Sequence, residues 1–246
     1  MVSASLDGQL VVFAGRFGSG KTEIALNFAA SLAATGQKMG GTNPVAHSAG
    51  PILIDLDLVT PYLRAREALR VMQDGGVEVI APLALSGFLD VPAITPQILG
   101  AIEQRSRSVV LDLGGDEQGA RALGRYSLAV RQRGYAMYFV VNPYRPYTAT
   151  PQAILTSIRE IERSSRLTVS ALVSNPNLMD ETDPAIIVSG HEVVQEAALL
   201  AGLPMVFLTA LSPFVENLER LKLGLPVLAL DRYFALPWEA SVDTGG

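Results

Sequence analysis

Gly15-Arg16-Phe17-Gly18-Ser19-Gly20-Lys21-Thr22 carries the spacing G-x-x-x-x-G-K-[ST] of a phosphate-binding P-loop. An apolar run, Leu10-Val11-Val12-Phe13-Ala14, leads into it and reads as a buried strand. Beyond it Ala25, Phe28, Ala29 and Leu32 fall on one helical stripe. Strand, glycine loop and helix are the context this motif requires. Glycines let successive N–H groups turn inward on a polyphosphate, and the N-terminus of the following helix adds partial positive charge. The motif assigns Gly15, Arg16, Phe17, Gly18, Ser19, Gly20, Lys21, Thr22 and the adjoining Glu23 to nucleotide binding. Lys21 is placed to reach the β- and γ-phosphates and to serve catalysis, and the Thr22 hydroxyl to ligate Mg²⁺. The rival dinucleotide fingerprint G-x-G-x-x-G fails, because Glu23 stands where its third glycine is needed.

Working outward, the P-loop helix is expected to end at Thr35-Gly36, and residues 39–50, rich in Gly, Pro, Ser and Asn, read as a flexible loop. Pro51-Ile52-Leu53-Ile54-Asp55-Leu56-Asp57 is a second buried strand ending in carboxylates, and Val77 to Ile80 a short third. Residues 81–94 are apolar but broken by Pro82, Gly87 and Pro92, and take no assignment. Further strands are expected at Val109–Leu113, Ala136–Val141, Leu167–Ser174 and Pro204–Thr209. A capping residue followed by proline opens five expected helices: Thr60-Pro61, Thr95-Pro96, Thr150-Pro151, Asp183-Pro184 and Ser212-Pro213. Another helix spans Glu117 to Arg133, with Arg131 and Arg133 in its last turn complementing the dipole.

Strands alternating with helices, several of them unbroken apolar runs, predict an α/β fold. It is a doubly wound, mostly parallel sheet with helices on both faces, the P-loop NTPase arrangement. Right-handed crossovers then bring every strand's C-terminal end to one edge. The P-loop, Asp55, Asp57, Asp112, Asn142 and Asn175 all fall at such ends. No internal repeat or linker divides the chain, so residues 1–246 read as one domain, with 231–246 a surface or frayed tail.

Asp55 and Asp57 lie two apart and so share one face of the sheet. Paired carboxylates beside a phosphate site suit the Mg²⁺ surroundings and the positioning of a water. Asp112 ends a Walker-B-like strand, and Gly115 completes a D-x-x-G turn whose N–H is placed to sense a γ-phosphate. Thr22, Asp55 and Asp112 are the candidate metal residues. Asn175 follows a strand in Ser174-Asn175-Pro176-Asn177; its amide suits adenine's edge, and turn formation explains it equally well. The guanine-selecting N-K-x-D motif is absent. Arg145, in Asn142-Pro143-Tyr144-Arg145-Pro146, is either a phosphate or effector contact or, the favoured reading, a solvated loop residue. Arg64, Arg66 and Arg70 read as a solvated helix face, and His47 and His191 as no metal site.

The chain is 49 % hydrophobic and 17 % charged, ample for a large core. A net charge of −5 argues against nucleic-acid binding. With no cysteine, thiolate catalysis and cysteine-held clusters are excluded. No signal-peptide pattern opens the chain, and no run approaches the ~20 apolar residues of a spanning helix, so the expectation is a cytoplasmic protein without a membrane partner.

Gly15 to Thr22, Ile54-Asp55-Leu56-Asp57, Val110-Leu111-Asp112 with Gly115, and Asn175 together resemble the ParA/MinD branch of P-loop ATPases. That group includes chromosome-partition and cell-division-site ATPases, the nitrogenase iron protein, and ATP-dependent ligases and amidases of cofactor synthesis. The resemblance covers roughly residues 8 to 225. It implies an ATP-driven, Mg²⁺-dependent switch that forms an ATP-dependent homodimer, face to face around two nucleotides. It implies that Asp57 positions the attacking water and Asp55 belongs to the Mg²⁺ surroundings. The family's deviant P-loop has a lysine after the first glycine, which reaches across the dimer; here that position is Arg16, with the same charge and a different reach. The lack of cysteine sets aside the iron–sulfur carriers, and the tail lacks the basic amphipathic helix of membrane-binding members.

Three functions remain open from the sequence. One is an ATP hydrolase acting as a switch on an unknown protein partner. Another is an ATP-dependent ligase or small-molecule kinase of cofactor or metabolite synthesis. The third is a nucleotide sensor that does not hydrolyse. No dedicated substrate motif is present, which favours the first.

Overall fold

A computed structural model of the chain describes residues 8–39, 50–56, 70–80 and 96–233. The 39–50 loop beyond Met39 up to residue 49, Asp57, the Thr60-Pro61 helix start, Arg64, Arg66, residues 81–94, Thr95, His47 and the tail from 234 lie outside the described residues.

The strands are β1 (Leu10–Gly15), β2 (Ile52–Asp55), β3 (Glu78–Ile80), β4 (Val109–Asp112), β5 (Ala136–Val141), β6 (Ala171–Ser174), β7 (Met205–Leu211) and β8 (Val227–Leu230). The helices are α1 (Lys21–Met39), α2 (Pro96–Glu103), α3 (Glu117–Arg133), α4 (Pro151–Ser165), α5 (Pro184–Ala201) and α6 (Ser212–Arg220). The strands form one sheet in the order β3-β2-β4-β1-β5-β6-β7-β8. Every neighbouring pair is parallel. This is the α/β arrangement expected from the sequence.

Alternation along the strands splits the core in two. Val12, Ile54, Leu111 and Phe139 face α2, α3, α4 and α5 through Ile102, Leu123, Ile158 and Val194. Val11, Phe13, Leu53, Val110 and Phe207 face α1 through Ile24, Phe28 and Ala29. Both faces are covered, which is why the central strands read as continuous apolar runs rather than alternating ones. Phe13, Phe28, Tyr138 and Phe207 form a chain of ring contacts, with centroids 5.2 Å apart for Phe13–Phe28 and 6.3 Å for Tyr138–Phe207.

Some boundaries differ from expectation. Helix α1 runs through Gly36 to Met39. The Leu167–Ser174 strand shortens to β6: Leu167 N–H is bound by Ser165 Oγ and Val169 N–H by Glu162 Oε1, so local side chains satisfy backbone donors that a ladder would have used. Edge strand β8 was not anticipated at all. In α6 the cap position is Leu211, and Ser212 sits inside the helix.

Candidate functional site

The ends of β1, β2, β4, β5 and β6 converge on the edge where β1 gives way to the P-loop. The parallel register sets Asp55 of β2 opposite Asp112 of β4, and Asp112 opposite Phe13 of β1. Leu56 N–H donates to Asp112 O and Leu113 N–H to Phe13 O, so the chain crosses this edge in fixed steps. Lys21 opens α1 and is 5 % exposed; Asp112 is 2 % exposed. Thr22 follows in the first turn, half-buried. A hydroxyl and two carboxylates are hard oxygen donors, the chemistry Mg²⁺ takes alongside phosphate oxygens. No group of three or more His, Asp or Glu side chains that could hold a metal occurs among the described residues.

Gly115 meets the P-loop directly. A Cβ at this position would lie 2.8 Å from Phe17 N and 3.1 Å from Arg16 C, both rigid backbone atoms. Only glycine allows the turn after β4 to come this near. Asp116, one residue on, caps α3 by accepting from Gly119 N–H at 2.8 Å. The helix cap is therefore Asp116.

The opposite flank of the loop is held by asparagines. Asn175, 4 % exposed, donates from Nδ2 to Ser19 O at 2.7 Å and accepts at Oδ1 from Thr209 Oγ1 at 2.7 Å. One end of its amide thus holds the P-loop and the other is anchored on β7. Asn142 does the same for the β5 turn: Nδ2 donates to Asn177 O at 2.9 Å and approaches Gly18 O at 3.5 Å, while Oδ1 accepts from Tyr144 N–H and Asn177 N–H. Each asparagine is followed by proline, and both prolines pack on α5 at Gly190. The paired Asn-Pro steps after adjacent strands were the sequence signal for this bracing. Thr209 gave none.

Arg16 turns away from the loop it belongs to. Its guanidinium pairs with Glu160 of α4, its Nε donates to Ser157 Oγ at 3.1 Å, and its Cζ sits 5.3 Å from the Tyr147 ring centroid. Phe17, at the crest, is 78 % exposed. Glu23 accepts from Tyr233 N–H, and Asn27 pairs with both backbone groups of Asp231, so α1 anchors the segment after β8. Burial, with Asp231 and Glu23 nearby, raises the Tyr233 phenol's pKa.

No protein-family model and no curated protein matches this chain in sequence. Solved structures do match it in shape. Chloroplast FtsY from Physcomitrella patens superposes with a TM-score of 0.52 at 15 % identity, over 85 % of this chain and 61 % of that one. FtsY from Mycoplasma mycoides gives 0.53 at 16 % identity, over 83 % and 60 %. The signal recognition particle receptor FtsY from Elizabethkingia anophelis, in complex with GDP, gives 0.50 at 14 % identity, over 82 % and 56 %. The fold is that of a P-loop NTPase. At these identities the likeness is one of fold, and the chain spans about three-fifths of the length of the first two neighbours. Gly15–Thr22, Asp55, Asp112 and Gly115 meet at one edge of this sheet. No described helix is long and apolar enough to cross a membrane.

Proposed function

We propose that this chain is an ATP-driven, Mg²⁺-dependent switch of the ParA/MinD type, acting on a protein partner. The observation that carries the reading is Gly115 seated on the Arg16–Phe17 backbone, with Asp112 and Asp55 side by side in register. A γ-phosphate held by the loop would then touch the turn after β4. Its loss would release that turn, which is how phosphate state becomes conformation in switch proteins. Lys21 and the loop N–H groups neutralise the polyphosphate, Thr22 with Asp55 and Asp112 would hold Mg²⁺, and Asp57 orients the water. Bound Mg²⁺ would supply charge neutralisation across the phosphates. In the face-to-face dimer of this reading, Arg16 must leave Glu160 to reach a partner copy, and light scattering with ATP separates dimer from monomer.

Adenine is favoured by the missing N-K-x-D motif. Guanine is the competing base, because one structural neighbour is held with GDP. Direct competition between ATP and GTP decides between them.

Binding and single-turnover hydrolysis test the mechanism together. Lys21→Ala is expected to lose Mg·ATP binding; unchanged affinity would sink the nucleotide reading. Asp57→Ala is expected to bind Mg·ATP but turn over about 10²-fold more slowly, the scale of a lost base or orienting group. Asp55→Ala should instead weaken the Mg²⁺-dependent part of binding. Turnover only with an added metabolite would favour the ligase or kinase, and ATP that stays intact through long incubation would favour the sensor.

A further inference from the structure

We propose that Arg145 is a second cationic ligand of the bound polyphosphate, acting beside Lys21; this rests on the nucleotide-binding reading above. The residue belongs to no nucleotide motif, and its place follows from geometry. Its side chain lies along the P-loop at Gly18, where a Cβ would come 3.1 Å from Arg145 Nε and 3.3 Å from Cδ. Gly18 has φ +77°, so the loop backbone takes a left-handed turn beneath the guanidinium stem, which an added Cβ would crowd.

The stem starts from a rigid turn. Arg145 N–H donates to Asn142 O at 3.2 Å, Arg145 O accepts from Thr148 N–H at 3.0 Å, and Pro146 follows. Asn142 clips that same turn to the P-loop side of the site. A cation held this way needs little ordering when an anion arrives, which favours binding.

Arg145 also has an unmet donor. Its Nε is buried and has no hydrogen-bond partner among the described residues. Leaving a buried charged donor without an acceptor is costly, so the position calls for one. The other arginine nearby, Arg16, is already satisfied by Glu160, Ser157 and Tyr147. Nucleoside di- and triphosphates bring oxygens of the right charge to this loop, and a planar guanidinium fork takes two of them at once.

The test is titration calorimetry on the full chain with two probes, Mg·ATP and inorganic tripolyphosphate. Wild type, Lys21→Ala, Arg145→Ala, Arg145→Gln and Arg145→Lys are compared. Arg145→Ala and Arg145→Gln are expected to weaken both probes about 10- to 100-fold, the worth of a charged hydrogen bond. Arg145→Lys should fall between them and wild type, and binding by the neutral variants should lose part of its salt dependence. Ligand-free melting temperatures establish that the variants fold, and Arg145→Gln carries the test if the alanine variant does not. Wild-type affinity for tripolyphosphate in Arg145→Gln, alongside lost binding in Lys21→Ala, would overturn the Arg145 assignment while leaving the site intact. Weakened ATP with unchanged tripolyphosphate would overturn it as well, since the contact would then be to sugar or base. Wild-type affinity in Lys21→Ala would overturn the nucleotide reading and this proposal with it.

Discussion

Gly115 shows how a single residue couples two elements. Its missing side chain lets the β4 turn rest on the P-loop backbone at Phe17. Gly115→Ala inserts a methyl 2.8 Å from Phe17 N, against backbone rather than a flexible side-chain tip. Overpacking of this kind typically costs about 1–3 kcal/mol. The variant is expected to melt lower and to bind Mg·ATP more weakly, because the strain falls on the loop that holds the phosphates. Wild-type melting and wild-type affinity together would mean that the turn swings away freely. Asn175 works at the same scale: one amide ties the P-loop carbonyl at Ser19 to Thr209 on β7, across two strands.

At the scale of elements, the expected capping holds at Thr150 and Asp183 and fails at Ser212, where Leu211 takes the cap position without a side-chain bond. Thr150 Oγ1 accepts from Ala153 N–H and Asp183 Oδ1 from Ile186 N–H, each with proline at the first helical position. Strand β8 is held differently. Its exit is locked onto α1 by Asn27, 7 % exposed, whose Nδ2 reaches Asp231 O at 2.9 Å and whose Oδ1 accepts from Asp231 N–H at 2.8 Å. Asn27→Ala strips both partners from a part-buried backbone pair, which costs about 1–3 kcal/mol per unsatisfied group. Hydrogen exchange across 227–233 is expected to accelerate in this variant while β1 and β5 stay protected. Uniform acceleration over the whole sheet would mean that β8 is cooperative with the core rather than docked by the asparagine.

Across the whole molecule, helix α5 links the core to both asparagine loops. Gly190 receives Pro143 and Pro176, and the next residue, His191, reaches Ser174 Oγ at 3.1 Å from Nδ1. His191 is 3 % exposed; burial lowers its pKa, and Glu192 only partly opposes that. The unfolded chain therefore takes up a proton near pH 6.5 that the folded chain resists. Where the unfolded state binds more protons, stability rises with pH. The contribution of a neutral His191 is fully present above about pH 6.5 and is lost as pH falls through and below that value toward the lowered folded pKa. Melting temperature should drop between pH 7 and the lower end of that window, and His191→Gln should flatten the drop. A variant that declines as steeply as wild type would locate the pH sensitivity elsewhere.

The P-loop, the sheet class and most element positions were legible in the chain because they depend on local rules. A glycine loop needs its own glycines, a doubly covered parallel strand needs an apolar run, and a helix start needs a cap and tolerates proline. That Asp55, Asp112 and Gly115 would share an edge with the P-loop followed from spacing, since strand ends in a parallel sheet do so. What lay beyond reach depends on contacts between residues far apart in sequence. Arg16 reads from the sequence as a phosphate or dimer contact, and only the packing of α4 shows that Glu160 and Ser157 hold it within the single chain. Asn175 could be read as a base contact until folding put Ser19 and Thr209 at the two ends of its amide. Arg145 could be read as a solvated loop residue until the β5 turn laid it on Gly18. Hydrogen-bonding capacity is a property of the residue, but its partner is supplied by the fold, because burial removes water and leaves each polar atom to whatever the packing brings within reach.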